Sequence, residues 1–137
     1  MISRTFNTPI VIGDNQFNVW IASTSEELEL GLMGYHLQTN QGCWLKFPYS
    51  MEISLWMKNC MQPLGVLFLD ETDTVVEKQL MDNSEPNRIY RSNIPCSSAL
   101  EIHPSKLDLI NVGDKIEKKV QGSRKLRMVV ASLRKII

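Results

Sequence analysis

Residues 65–80 read GVLFLDETDTVVEKQL. Gly65 to Leu69 is a short, continuous apolar run, the mark of a strand buried on both faces. Asp70-Glu71-Thr72-Asp73 supplies turn chemistry, and Thr74 to Leu80 returns as a second strand, so the stretch is a β-hairpin with a four-residue connection. Working outward, similar signals recur. Ile10 to Ile12 is β-branched and is followed by the turn Gly13-Asp14-Asn15. Phe17, Val19 and Ile21 then alternate with Asn18 and Ala22, with Trp20 on the opposite face, which predicts a half-buried strand. Further strands are expected over Cys43–Phe47, ended by Pro48; over Ile53–Lys58, broken by Gln62-Pro63; over Ala99–His103, ended by Pro104; and over Lys115–Val120, after the turn Val112-Gly113-Asp114. Residues 82–95, rich in Asp, Asn, Ser and Pro, read as a loop anchored by Ile89 and Tyr90.

One segment breaks the β pattern. Thr24 and Glu27 have the spacing of a capping box, and Glu26, Glu27 and Glu29 suit the positive end of a helix dipole. A short helix over about residues 25–31 is expected, stopped by Gly31 or Gly34. Many short strands with turn signals between them, plus one short helix, make the chain mostly β: a small sandwich or a partly closed barrel.

The chain has 137 residues, enough for one domain and too few for two well-buried ones. With 43% hydrophobic and 22% charged residues it can build an ordinary core, which excludes global disorder. The charge is unevenly spread. Met1–Asp114 carries seven Lys/Arg and fourteen Asp/Glu, whereas Lys115–Ile137 carries eight Lys/Arg and only Glu117. An acidic body with a basic end predicts that the end meets an acidic surface. Gly122-Ser123 reads as a hinge, dividing a β-rich domain (1–122) from a basic amphipathic extension (123–137). Within the extension Leu126, Val129, Val130, Leu133, Ile136 and Ile137 fall at helical spacing, with Arg124, Lys125, Arg127, Arg134 and Lys135 on much of the other face. A strand through Met128 to Ala131 is the competing reading. Residues Arg124, Lys125, Leu126, Arg127, Val130, Leu133, Arg134 and Lys135 are therefore the candidate partner-binding set. Its target is the chain's own body, a sister subunit or another protein. Phosphates of nucleic acid are less favoured because no aromatic is present for base stacking, and an anionic membrane surface is a further alternative.

Cys43, Cys60 and Cys96 are far apart, with no C-x-x-C pair, which suits a reducing compartment. No secretory signal and no membrane span is visible, so a cytoplasmic location is expected.

At Gly31-Leu32-Met33 and Trp56-Met57-Lys58-Asn59 the sequence resembles the bacterial and archaeal family known as domain of unknown function 192. The resemblance continues, in order, through the strand after Gly42, Pro63-Leu64, Val66 to Asp70, Leu100-Glu101 and Gly113-Asp114, covering about residues 17–120. The family usually has Thr where Cys60 stands, Asp where Gly65 stands, and an Arg shortly after its Gly-Leu-Met segment, where this chain has Gly34-Tyr35-His36. The resemblance implies a compact, jelly-roll-like β fold and no particular reaction. Relatives in phage genomes add a virion or assembly role to the expectations.

Several side chains are candidates for chemistry. Trp56 and Lys58 share one face of their strand, so an aromatic platform beside a cation, with Asn59 next to it, could bind a sugar, an anion or a peptide. The competing reading packs Trp56 in the core. Cys60 would be a nucleophile if Lys58 lowered its pKa and His36 or His103 served as base; otherwise it is an inert buried thiol. Glu101 sits mid-strand, where glutamate usually faces solvent, or is a site carboxylate. His36 and His103 lack metal-ligand spacing, and Asp70, Glu71 and Asp73 fit a hairpin turn better than a calcium loop, so neither metal nor cofactor is expected. The sequence reading favours a non-catalytic binding or structural module. Its alternative is a small-ligand (sugar or anion) binding protein, or a thiol-dependent enzyme, built on Trp56 to Cys60 and Glu101.

Overall fold

The structure is a computed structural model and describes residues 2–118. Among these residues nine strands form a seven-stranded sheet and a separate two-stranded ribbon. The strands are β1 (Thr8–Ile12), β2 (Asn15–Ala22), β3 (Gln41–Met51), β4 (Ser54–Trp56), β5 (Leu64–Leu69), β6 (Val75–Met81), β7 (Ile89–Arg91), β8 (Cys96–Ile102) and β9 (Ile116–Lys118). The large sheet runs β6-β5-β8-β3-β2-β1-β9, and β4 pairs with β7. All pairings are antiparallel except β2–β3, which register in parallel from Asn18↔Gln41 to Ala22↔Leu45. A parallel pair needs a crossover. Here α1 (Ser25–Leu30) and the loop after it supply the crossover, laying both across one face of the sheet.

The sheet curls until its two edges meet. Thr74, just before β6, bridges Lys115, just before β9. The Val75 amide donates to the Asp114 carbonyl at 2.8 Å, and the Ile116 amide to the Asp73 carbonyl at 2.9 Å. Of the two expected architectures, the partly closed barrel is therefore the one formed, as a strongly curled half-barrel. Its concave face holds one core, in which Val75 from one edge joins Ile12 and Ile116 from the other, around Phe17, Trp44, Leu67 and Leu100. The Trp44 indole N–H donates to the Ser98 hydroxyl at 3.0 Å, which satisfies the one polar group that this large ring buries.

The convex face is apolar too. Trp20, Cys43, Leu45, Val66, Phe68 and Ala99 lie under a second layer made of Leu28 on α1, Leu32 and Leu37 after it, Ile53 and Met57 flanking β4, and Tyr90 on β7. This layer is the reason β5 is buried at all six positions. It also explains why Trp20, expected on the exposed face of a half-buried strand, is itself buried.

Several local readings need correction. A second short helix, a 3₁₀ turn over Pro104–Leu109, follows β8, where only a strand end was expected. Strand β3 runs through Pro48 to Met51, because the register shift between Lys46 and Met51 removes the ladder bond that proline cannot make. The loop 82–95 contains β7. Its anchor is Tyr90, buried, whereas Ile89 is exposed. Strand β4 stops at Trp56, two residues short of the expected Lys58. The helix agrees closely with its capping box: the Glu27 amide donates to Thr24 Oγ1 at 3.2 Å, the Thr24 amide to Glu27 Oε1 at 3.0 Å, and Gly31 caps the end with φ 46°. The expected extension beyond residue 118, with its candidate partner-binding residues, lies outside the described residues.

Candidate functional site

Of the two readings of Glu101, a solvent-facing residue or a site carboxylate, the structure removes the first, because the side chain is buried. Strand β8 is central, between β3 and β5, and Glu101 registers with Cys43 on one side and Val66 on the other, on the convex face under the second layer. The residue is 5% exposed. Burial pushes its carboxyl up to about 7, and among the described residues no hydrogen bond or ion pair to it offsets that shift. A neutral carboxylic acid tolerates such a place far better than a carboxylate does.

The carboxyl opens onto a pocket of about 210 Å³ between the sheet and the second layer. Leu45 and Cys60 lie near Glu101, α1 and its cap contribute Leu28, Glu29, Leu30 and Gly31, and Trp56 stands on the lining beside Met33. Gly31 matters here for two reasons. Its positive φ turns the chain at the end of α1, and a Cβ on it would come within 3.8 Å of Glu101 Oε1. Arg4, which the sequence reading passed over, braces this wall. Its guanidinium donates from Nε to the Gly31 carbonyl (2.9 Å) and from an Nη to the Met33 carbonyl (2.7 Å), and it lies over the rings of Trp20 and Tyr35. Tyr35 in turn stacks on Phe6.

A wider groove of about 760 Å³ adjoins the pocket and shares Glu29, Leu30, Met33 and Trp56 with it. Ile2, Arg4, Glu26, Lys58 and Asn59 complete this groove. Trp56 does not pack in the core: it is 43% exposed. Lys58 and Asn59 sit in the turn after β4, closed by the Cys60 amide donating to the Met57 carbonyl at 3.1 Å. Asn59 takes φ 60°, a conformation that asparagine accepts more readily than most residues. The turn folds Lys58 back so that Nζ lies 5.1 Å from the Trp56 ring centroid, close although the two no longer share a strand.

The structure thus brings Trp56, Cys60 and Glu101 into one pocket, and Trp56, Lys58 and Asn59 into the groove at its side. It does not give Cys60 the surroundings of a nucleophile. Burial first, and then the nearby Glu101 charge, push its thiol up to about 11, against a small lowering by Arg4. Neither histidine lines the pocket. His103 instead caps the 3₁₀ turn, with Nδ1 accepting from the Ser105 amide at 3.2 Å. Cys43 is wholly buried, and its thiol is pushed well up by the same burial. Among the described residues, no three His, Cys, Asp or Glu side chains come together to hold a metal ion. In the 70–74 hairpin turn, Asp70 Oδ1 accepts from the Thr72 and Thr74 amides. Among the described residues no helix is long and apolar enough to cross a membrane.

A family model matches residues 8–118, which is nearly the whole of the described fold: DUF192, an uncharacterized group. The chain belongs to the DUF192 family. Two solved structures show the same fold. One is a Sinorhizobium meliloti protein put forward as a transcription regulator, 21% identical, with a TM-score of 0.79 over 86% of this chain and 97% of that one. The other is a Novosphingobium aromaticivorans protein of unknown function, 25% identical, with a TM-score of 0.73 over 80% of this chain and 83% of that one. No curated protein matches the sequence. DUF192 membership and these neighbours give the fold and leave the role open. Leu107 of the 3₁₀ turn is packed against Gly65, with its Cδ1 only 3.0 Å from where a Cβ would stand.

Proposed function

We propose that this protein is a non-catalytic binding domain that takes a small, neutral, hydroxyl-bearing ligand, such as a sugar ring or the end of a glycan, in the Glu101 pocket. The observation that carries this reading is the Glu101 carboxyl on the pocket lining, in a residue only 5% exposed and with no hydrogen bond or ion pair among the described residues. A hydroxyl can donate to its carboxylate form and accept from its protonated form, so it satisfies the group in either state. Trp56 on the lining offers an apolar face for a sugar ring, and Lys58 can swing on its flexible stem to uncover that face. An anion fits less well. The pocket lining carries Glu29 and Glu101 and no Lys or Arg, and the nearby Arg4 is already bonded to two carbonyls. A thiol-dependent reaction is disfavoured by the direction in which Cys60 is pushed. No observation favours the virion or structural role over this one.

The test is a nitrogen-15 NMR titration of the chain with neutral pyranosides and, separately, with a uronic acid. Saturable shifts from a neutral sugar at Gly31, Cys60, Glu101 and the Trp56 indole are expected. Shifts confined to other faces, or tighter binding of the uronate, would overturn the proposal.

A further inference from the structure

We infer that the basic end of the chain is itself the occupant of the groove beside the pocket, lying across Leu30, Met33 and Trp56 and held by Glu26 and Glu29. Three observations converge on this. The first is direction. Strand β9 registers antiparallel with β1, with Ile10 opposite Lys118, so the chain leaves Lys118 heading past Thr8 towards the N-terminal segment. That segment supplies Ile2 and Arg4 to the groove.

The second observation is reach and shape. Nineteen residues follow Lys118. Even at about 1.5 Å per residue, the shortest rise of the common regular conformations, nineteen residues reach about 28 Å, enough to cross a groove beside a six-residue helix. The apolar positions Leu126, Val130 and Leu133 need an apolar surface to cover, and the groove offers Ile2, Leu30, Met33 and Trp56.

The third is charge. Residues 119–137 carry six Lys/Arg and no acid, whereas Met1–Asp114 has twice as many acidic as basic residues. On the groove, Glu26 and Glu29 are exposed and form no ion pair among the described residues. Arg4 is engaged with carbonyls, and Lys58 lies over Trp56.

The experiment is zero-length carbodiimide coupling of the full chain at low concentration, followed by peptide mass spectrometry of the monomeric product. The expected link joins Glu26 or Glu29 to Lys125 or Lys135, and is lost in the E26Q/E29Q variant. Coupling of these lysines to other carboxylates only, or links found solely in cross-linked dimers, would overturn intramolecular docking. A second readout needs no coupling chemistry. Trp20 and Trp44 are 3% and 0% exposed, so acrylamide quenching of the chain reports Trp56. Reversing Arg124, Lys125, Arg127, Arg134 and Lys135 to Glu is expected to raise that quenching, as is high salt on the native chain. Quenching indifferent to both would sink the inference, and neither result depends on whether the pocket binds sugar.

Discussion

Replacing Glu101 by Gln keeps the side chain's shape and removes its ionisation, and the structure says what that should do to stability as a function of pH. Burial holds the carboxyl at about 7 in the fold, against an ordinary value of 4.5. A carboxyl whose folded pKa lies above its unfolded one gives stability that is fully present below the unfolded value and is lost as pH rises through the folded one. At about 1.36 kcal/mol for each pKa unit, the native chain should lose about 3 kcal/mol through this residue between pH 4.5 and pH 7. The Gln variant has no such loss. Urea unfolding of both proteins, followed by tryptophan fluorescence at several pH values, isolates the effect, because every other titrating group cancels in the difference. The stability of E101Q relative to the native chain should therefore rise by about 3 kcal/mol from pH 4 to pH 8 and level off above pH 7. Two parallel stability curves would refute the reasoning, since they would mean that the carboxyl ionises as freely in the fold as outside it.

Other expected outcomes follow from single contacts. At pH 8, Cys60 should react with iodoacetamide about 100-fold more slowly than an unperturbed thiol of pKa 9, because only its thiolate is nucleophilic and burial holds it near 11. An ordinary rate would reopen the nucleophile reading. Thr24→Ala removes the cap of α1 and should cost about 1 kcal/mol in chemical denaturation, with earlier hydrogen exchange at Leu28 to Gly31, since α1 has no fully buried residue to hold it otherwise. Gly65→Ala should destabilise by about 2 kcal/mol, because the new methyl meets Leu107 Cδ1 at 3.0 Å and Ile102 Cγ1 at 3.3 Å in a closed environment. An unchanged midpoint would show that the 3₁₀ turn moves aside at no cost.

The parts of this fold that could be read in the sequence are those set by near neighbours. The capping box of α1 spans four residues, and its hydrogen bonds are those the residue types demand. The β5–β6 hairpin follows from an apolar run and an Asp-rich turn in which Asp70 bonds the amides of Thr72 and Thr74. What could not be read depends on which strand neighbours which. Glutamate in a strand usually faces water, and Glu101 does not because β8 lies between β3 and β5 and the crossover after β2 roofs its face. Lys58 meets Trp56 through a turn, whereas alternation along a strand would have placed them together by a different route. Arg4 left no signal at all. It belongs to a segment with no periodicity, and its role appears only when that segment is laid against Gly31 and Met33. The candidate residues of the site were thus legible as residues, while the pocket that joins Trp56, Cys60 and Glu101 is a product of topology.

The most direct test of the binding proposal is a crystal structure of the chain soaked with the pyranoside that gives the largest NMR shifts. The sugar ring should lie against the Trp56 indole, with a ring hydroxyl within hydrogen-bond distance of a Glu101 carboxyl oxygen. A sugar bound elsewhere, or a Glu101 pocket left without it at saturating concentration, would contradict the account.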